Sequence, residues 1–341
     1  MTHAQFIHNY EYITSLENLL GAWGEFVRGK RSRKDVQEFE QHLMHNIIAL
    51  HQDLATKQYR HSPYEAFTIS DPKPRNIHKA KVRDRLLHHA LYRKLYPFFD
   101  KTFIADSYSC RLHKGTHKAL RAFRSFLYAA SKNHTKTIWV LKGDIRKFFA
   151  SVDHAVLQKV VQQYIPDEGI QRLIAEVVGS FHVVRGVGLP LGNLTSQLLV
   201  NVYMNQFDQF IKHSIKAKHY IRYADDFIIL SQNKKWLESV VPRPQDFLLN
   251  ELRLTLHPNK LFIKTIASGV DFLGWVHFPD HSVIRTATKR RIFCRVRKHE
   301  GKAGTVQSYL GLLTHGNARK LSTEVENLGE VVSREGSGAT S

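Results

Sequence analysis

Two adjacent carboxylates, Asp225 and Asp226, sit inside Tyr220-Ile221-Arg222-Tyr223-Ala224-Asp225-Asp226-Phe227-Ile228-Ile229-Leu230. Tyr, Ile, Phe and Leu favour strands, and Ala-Asp-Asp is the only break. The pattern predicts a hairpin with the acid pair at its tip. Two carboxylates at a tight tip repel, a cost that is tolerable on a solvated surface or where a divalent cation sits between them. A solvated turn is the plain reading of an isolated Asp-Asp. A second site upstream changes it. Val140-Leu141-Lys142-Gly143-Asp144-Ile145-Arg146-Lys147-Phe148-Phe149 is another apolar strand ending in a carboxylate, with an aromatic five residues further on. If the two strands are neighbours in one sheet, Asp144, Asp225 and Asp226 meet. Three such groups hold two Mg²⁺ ions roughly 3.5–4 Å apart, the arrangement used for in-line phosphoryl transfer.

The balance of charge agrees with a phosphate-bearing partner. The chain has 341 residues with 50 Lys+Arg against 30 Asp+Glu, a net charge of +20. That implies a polyanion: nucleic acid first, an acidic membrane surface second. No run reaches the roughly 18 apolar residues that span a bilayer, so no membrane partner is expected. The N-terminus lacks the basic-then-apolar pattern of a signal peptide. Only two cysteines occur, Cys110 and Cys294. They suit a reducing cytoplasm and offer no zinc spacing. At 43% hydrophobic the chain can bury a core, and its length suits two or three subdomains.

The elements that must carry these residues are legible in outline. Leu16, Leu19, Leu20 and Trp23 have the spacing of a short amphipathic helix. The cations Arg28, Lys30, Arg31, Arg33 and Lys34 follow it, either as a solvated cap or as a contact to nucleic acid or a partner. Val36, Phe39, Leu43, Ile47, Leu50 and Leu54 form one helical stripe. Residues 59–86 read as extended structure with a hairpin, dense in Lys73, Arg75, Lys79, Lys81, Arg83 and Arg85, with Asp84 as a partner for Arg85. Leu86, Leu87, Ala90, Leu91 and Leu95 mark a helix. Thr116 caps another, and Lys114-Gly115 before it resembles a phosphate site without the spacing of a Walker loop. Gly186, Gly188, Pro190 and Gly192 make a loop whose backbone approaches a ligand closely, ahead of a helix from about Thr195 to Ile215. Leu252 to Lys260 reads as a strand into a turn, and Val270 to Phe278 as a hairpin strand. Seven cations and no anion lie between Arg285 and Lys298, a segment suited to a phosphate backbone. The stretch from Ser333 is Gly/Ser-rich and expected to be disordered. Residues 281–341 hold no Asp and only five Glu, so no second, nucleolytic carboxylate cluster is expected there.

Tyr-Ala-Asp-Asp, the Asp144–Phe149 segment and Gly188-Leu189-Pro190-Leu191-Gly192-Asn193-Leu194-Thr195-Ser196-Gln197 come in the order and spacing of reverse transcriptases. The chain resembles that family from about residue 35 to about residue 320. The resemblance implies an α/β (α+β) right-hand polymerase fold. It divides the chain into an N-terminal extension (1–34), fingers and palm (35–282), a helical thumb (283–330) and a disordered tail (331–341). It implies Asp144, Asp225 and Asp226 as catalytic residues. Two Mg²⁺ ions, with Mn²⁺ as a substitute, fall to those residues and to Ile145. Arg75, Lys79, Phe149, Leu191, Gly192, Gln197 and Lys260 would bind the nucleotide. Phe149 would lie under the sugar, where a ring leaves no space for a 2′-hydroxyl. Adjacent residues on a strand face opposite ways, so only one of Phe148 and Phe149 can face the site. Arg111, Lys114, Gly274, Trp275, Lys289, Arg290, Arg291 and Arg295 would contact template RNA and primer.

Most reverse transcriptases carry Gln-Gly-x3-Ser-Pro where this chain has Leu191-Gly192-x3-Ser196-Gln197. Both departures resemble the reverse transcriptases of diversity-generating retroelements. Those are bacterial or phage enzymes that make adenine-mutagenic cDNA for a target protein gene, acting with a small basic accessory variability protein. An antiphage-defence or unclassified bacterial reverse transcriptase has the same chemistry and another purpose. A non-catalytic nucleic-acid-binding scaffold is the alternative of another class, and three intact Asp argue against it.

Overall fold

A computed structural model describes residues 4–70 and 74–338. Four helices open the chain: α1 (Tyr10–Thr14), α2 (Leu16–Phe26), α3 (Lys34–Gln41) and α4 (Leu43–Ala55). Asn9 and Ser15 cap α1 and α2 with side-chain oxygens that accept from Tyr12 and Asn18 amides. The stripe from Val36 to Leu54 is not one helix. It breaks at His42 (φ −120°, ψ 36°), and Asn46 Nδ2 donates to the Phe39 carbonyl beside the break at 3.0 Å. An antiparallel hairpin follows, β1 (Glu65–Ile69) and β2 (Arg75–Lys79), in the register Glu65↔Lys79 to Ile69↔Arg75. Lys73, at its tip, lies outside the described residues. Then come α5 (Val82–Thr102) and α6 (Thr116–Ala130).

The centre of the molecule is a four-stranded antiparallel sheet. Its strands are β3 (Trp139–Asp144), β4 (His219–Tyr223), β5 (Asp226–Ser231) and β6 (Phe262–Thr265), in the order β4-β5-β3-β6. Between β3 and β4 lie α7 (His154–Tyr164), α8 (Glu168–Gly179) and α9 (Leu194–Gln209), the last running into a π-turn at Phe210–Ser214. Between β5 and β6 lie α10 (Lys234–Val240) and α11 (Pro242–Asn250). The expected strand over 252–257 makes only an isolated bridge, Ile145↔Leu256, and the strand of this region is β6.

Side chains alternate across the central sheet and feed two separate cores. Leu141, Tyr220, Phe227 and Ile229 join one core with α5, α7, α8, α9 and the N-terminal helices. Val140, Ile221, Ile228 and Leu230 join the other, with α6 and the C-terminal part of the chain. That part is a three-stranded sheet, β7 (Val270–Phe272), β8 (Trp275–His277) and β9 (Ser282–Ile284), and the helices α12 (Thr286–Lys298), α13 (Ala303–Leu313) and α14 (Arg319–Gly338). The tail expected to be disordered from residue 331 continues α14 as far as Gly338. Among the described residues no helix is long and apolar enough to cross a membrane.

Candidate active site

The expected hairpin forms, with Ala224 and Asp225 as its two-residue turn and Tyr223 opposite Asp226. Ala224 takes a left-handed conformation (φ 55°), unfavourable for a residue with a Cβ. A buried charge network holds it there. The Arg222 guanidinium donates to the Ala224 carbonyl (2.9 Å) and to both oxygens of Asp208 (each 2.7 Å). Tyr220 Oη donates to Asp208 Oδ1 at 2.6 Å. Arg222 and Asp208 are fully buried, and their bidentate pairing offsets much of the desolvation cost.

The β3–β5 register sets Asp144 opposite Asp226, and the Ile145 amide donates to the Asp225 carbonyl at 3.1 Å. Gly143 permits this approach, because a Cβ there would lie 2.6 Å from Cε1 of Phe227. Burial raises the Asp225 carboxyl above its ordinary range, and the neighbouring Asp144 adds to the rise. Burial likewise pushes Asp226 up to about 6, against the pull of Lys142. Each of two acids has a lysine: Lys260 Nζ lies 2.8 Å from Asp144 Oδ1, and Lys142 Nζ lies 2.9 Å from Asp226 Oδ2. The second oxygen of Asp226 is buried without a hydrogen-bond partner.

Asp144 and Asp226 face each other across β3 and β5, with Asp225 in the adjoining turn. Among the described residues no three His, Cys, Asp or Glu side chains are arranged to hold a metal ion. Lys142 engages Asp226 and Lys260 engages Asp144, so a bound cation would compete with a lysine at each of these two acids. The residues nevertheless fit a hard divalent cation. Mg²⁺ is ordinarily held by one or two carboxylates with phosphate and water oxygens completing its shell. A cation here would relieve both the raised Asp225 carboxyl and the unpartnered Asp226 oxygen. Ile145 is buried and its side chain is apolar, so its part would fall to the backbone.

Of the expected nucleotide contacts, Arg75 is exposed on β2 and its charge reaches Asp225. Lys79 is drawn away, to Asp35 (2.7 Å) and Glu65 (3.7 Å). Arg85 also pairs with Asp35, not with Asp84, which is buried and accepts from Tyr59 Oη (2.7 Å) and the Ser62 amide (3.3 Å). Phe148 and Phe149 are not on a strand. A left-handed turn at Lys147 (φ 46°) sends them into a short 3-10 helix in which Phe148 is buried and Phe149 partly exposed. The Phe149 carbonyl accepts from the Leu189 amide (2.7 Å), and the Leu191 carbonyl from the His78 amide (3.2 Å). These bonds tie the glycine loop to both the 3-10 helix and β2. Gly192 (φ 103°) is needed here, since a Cβ would be left-handed and 3.0 Å from Ile77 Cγ2.

Behind β2 lies a cavity of about 380 Å³ lined by Lys30, Arg33, Phe67, Arg85, His88 and Gln197, among others. His78 Nδ1, His88 Nδ1 and Arg85 Nε are buried there without hydrogen-bond partners. Burial, with His61, His89 and Arg85 beside it, lowers His88 to about 3, so it stays neutral. Periodicity gives no sign of this cluster; only the frequency of His in 78–89 hints at it.

The expected nucleic-acid contacts divide. The Arg111 guanidinium binds Asp100 (2.7 Å) and the carbonyls of Ile104, Ser107 and Asp100, and so holds its own loop together. Lys114 Nζ reaches the Ala105 carbonyl at 2.7 Å. The cap of α6 is Gly115, not Thr116, whose hydroxyl lies 3.1 Å from Tyr223 Oη. Trp275 is buried against Gly316, where a Cβ would come within 2.6 Å of its ring, and presents no face to a ligand. Gly274 (φ 88°) turns the β7–β8 hairpin beside it. On α12 Lys289 pairs with Glu324 (3.1 Å), and just before it Arg285 pairs with Asp271. Arg290 is exposed, and Arg291 and Arg295 are partly so.

The reverse transcriptase (RNA-dependent DNA polymerase) family pattern matches residues 70–277. Protein YkfC of Escherichia coli K12 is 26% identical over 280 residues, covering 70% of this chain and 71% of YkfC. The group II intron-encoded protein LtrA of Lactococcus lactis is 22% identical over 280 residues, 61% of this chain and 44% of its own length. Among solved structures, the apo telomerase of Candida tropicalis superimposes with a TM-score of 0.50 at 11% identity, covering 72% of this chain and 60% of that one. That likeness concerns the right-hand polymerase fold alone.

Proposed function

The chain belongs to the reverse transcriptases, and on that premise we propose that it extends a DNA primer on an RNA template. The observation that carries this is the β3–β5 register, which brings Asp144 opposite Asp226 with Asp225 at the tip between them. Asp144 and Asp225, with Asp226 beside them, would hold Mg²⁺ or Mn²⁺. Bound there, such ions make the primer 3′-hydroxyl a better nucleophile and neutralise the phosphoryl charge. The chain's own residues do the rest. Arg75 faces the acids from the β1–β2 fingers hairpin and offers its charge to the triphosphate. Lys260, half-exposed on its 3-10 turn, exchanges Asp144 for a phosphate oxygen. Phe149 lies under the sugar. Gly192 and Gln197 line the cavity behind β2, with Leu191 preceding Gly192 in the chain, and the cations and unpartnered nitrogens of that cavity suit a template nucleotide. The β7–β8 hairpin supports the primer end, and α12 to α14 form a thumb whose exposed cations, Arg290 among them, follow the duplex backbone.

The finer reading is a diversity-generating retroelement enzyme with an accessory variability protein as partner. It rests on Leu191 and Gln197. Where relatives place a Gln amide, Leu191 offers apolar contact only, and losing one or two directed hydrogen bonds raises misincorporation about tenfold. Primer extension on an RNA template in Mg²⁺, followed by sequencing of the cDNA, tests both levels. Asp225→Asn should abolish extension while primer–template binding persists, and an active variant would sink the polymerase reading. Errors concentrated opposite template adenine, and reduced there by Leu191→Gln, support the retroelement lineage. A flat error spectrum removes that lineage and leaves a reverse transcriptase of another purpose.

A further inference from the structure

Lys142 is out of place in an apolar strand. It sits in the middle of β3 between Leu141 and Gly143, opposite Ile228 on one side and Phe262 on the other, and is 8% exposed. A buried ammonium is costly without partners. Its two partners belong to different parts of the molecule. One is the Asp226 carboxylate on the catalytic hairpin, at 2.9 Å. The other is the Asp271 carbonyl on β7, at 2.7 Å. The Asp271 side chain continues the line to Arg285, which precedes α12 and whose amide donates to the Gly274 carbonyl. Among the described residues no strand pairing joins the four-stranded sheet to the β7–β8–β9 sheet. Lys142 therefore supplies a direct polar link between the acids and the hairpin whose turn carries Gly274.

We propose that Lys142 is a positioning residue that sets the primer end against the catalytic acids by clamping the Gly274 hairpin to Asp226. The inference rests on the reading of the site as a polymerase. An ammonium satisfies both partners at once, since it donates in three directions and carries the charge that Asp226 answers. A neutral side chain of the same length keeps the packing and loses the clamp. Misplacement of reacting groups by about 1 Å costs about a hundredfold in rate. Removing Lys142 should therefore act on the chemical step and on the primer terminus, and little on overall affinity.

The test uses the full chain and a primer–template carrying 2-aminopurine as the last primer base. Lys142→Met should lower the single-turnover extension rate about tenfold to a hundredfold. Its dissociation constant for primer–template should stay within about threefold of wild type. In EDTA, with no divalent ion present, the 2-aminopurine should be brighter on Lys142→Met than on wild type, because the terminal base is held less firmly. Lys142→Arg, which keeps the charge and several donors, should recover part of both signals. Unchanged fluorescence, or a loss confined to affinity, overturns the proposal. If Lys142→Met does not fold, Lys142→Gln carries the same two readouts under the same criteria. A wild-type chain that extends no primer would refute the polymerase reading instead, so the two failures are distinguishable.

Discussion

Gly143→Ala adds one methyl group at the point where the Asp225–Asp226 hairpin meets β3. The added carbon would lie 2.6 Å from Cε1 of Phe227, well inside van der Waals contact. Phe227 has no free direction in which to move. It is fully buried, edge-on to Phe207 with ring centroids 5.1 Å apart, and it adjoins Asp226 in the chain. Overpacking of this kind costs about 1–3 kcal/mol. Replacing glycine by alanine in a strand returns about 0.5–1 kcal/mol through the unfolded state. The net destabilisation should be about 1–2 kcal/mol, read as a lower urea midpoint at unchanged slope. Activity should fall further than stability does, about tenfold or more, because the displaced ring carries Asp226 with it. Phe227→Leu opens the space, so Gly143→Ala/Phe227→Leu should be more stable than the sum of the single changes by at least about 1 kcal/mol. Additivity within about 0.5 kcal/mol would refute the steric account.

Three further outcomes follow from the same coordinates. Replacing Arg290 and Arg291 with Ala should flatten the salt dependence of nucleic-acid binding by roughly one unit of log–log slope per lost phosphate contact; Arg111→Met should leave that slope alone and cost stability, as measured by urea unfolding. Phe149→Val should raise ribonucleotide incorporation at least about tenfold by primer extension, and unchanged selectivity in an active variant would remove Phe149 as the gate. His88 titrates near 6.5 when unfolded and is held to about 3 when folded, so its contribution is complete above pH 6.5 and declines as pH falls toward 3. Between pH 6.5 and 5 that decline is about 2 kcal/mol, and His88→Gln should flatten the acid limb of stability by that amount.

What the sequence discloses about this site follows from range of interaction. The Asp225-Asp226 turn is legible because its strands and its acids are contiguous, and the Asp144 strand because it repeats the pattern. Arg111, Lys79 and Arg85 illustrate the limit. Each is a cation in a basic stretch, yet whether it is spent on Asp100 or Asp35 depends on chain packing that no local spacing records. Trp275 is a similar case: an aromatic beside a glycine turn reads equally well as a stacking platform or as a core residue, and Gly316, some forty residues on, decides for the core. The break at His42 was hidden because α3 and α4 continue the same apolar stripe on either side of it. Lys142 did leave a signal, a lone cation inside an apolar strand, but its second partner is a backbone carbonyl and so has no sequence signature.

The division of the central sheet between two cores makes the architecture modular. The N-terminal helices with α5 and α7 to α9 pack on one face of the sheet, and α6 with the C-terminal part packs on the other, so one core can be rebuilt without repacking the other. A C-terminal part taken from a distant relative must match a short footprint on this chain. That footprint consists chiefly of Val140, Ile221, Ile228 and Leu230 on the sheet, with Leu120 and Phe123 on α6. The acids lie at the end of the strands, beside that footprint and outside it. An exchange of that part keeps the acids' own strands in place, provided that it restores the Asp271 carbonyl that Lys142 engages.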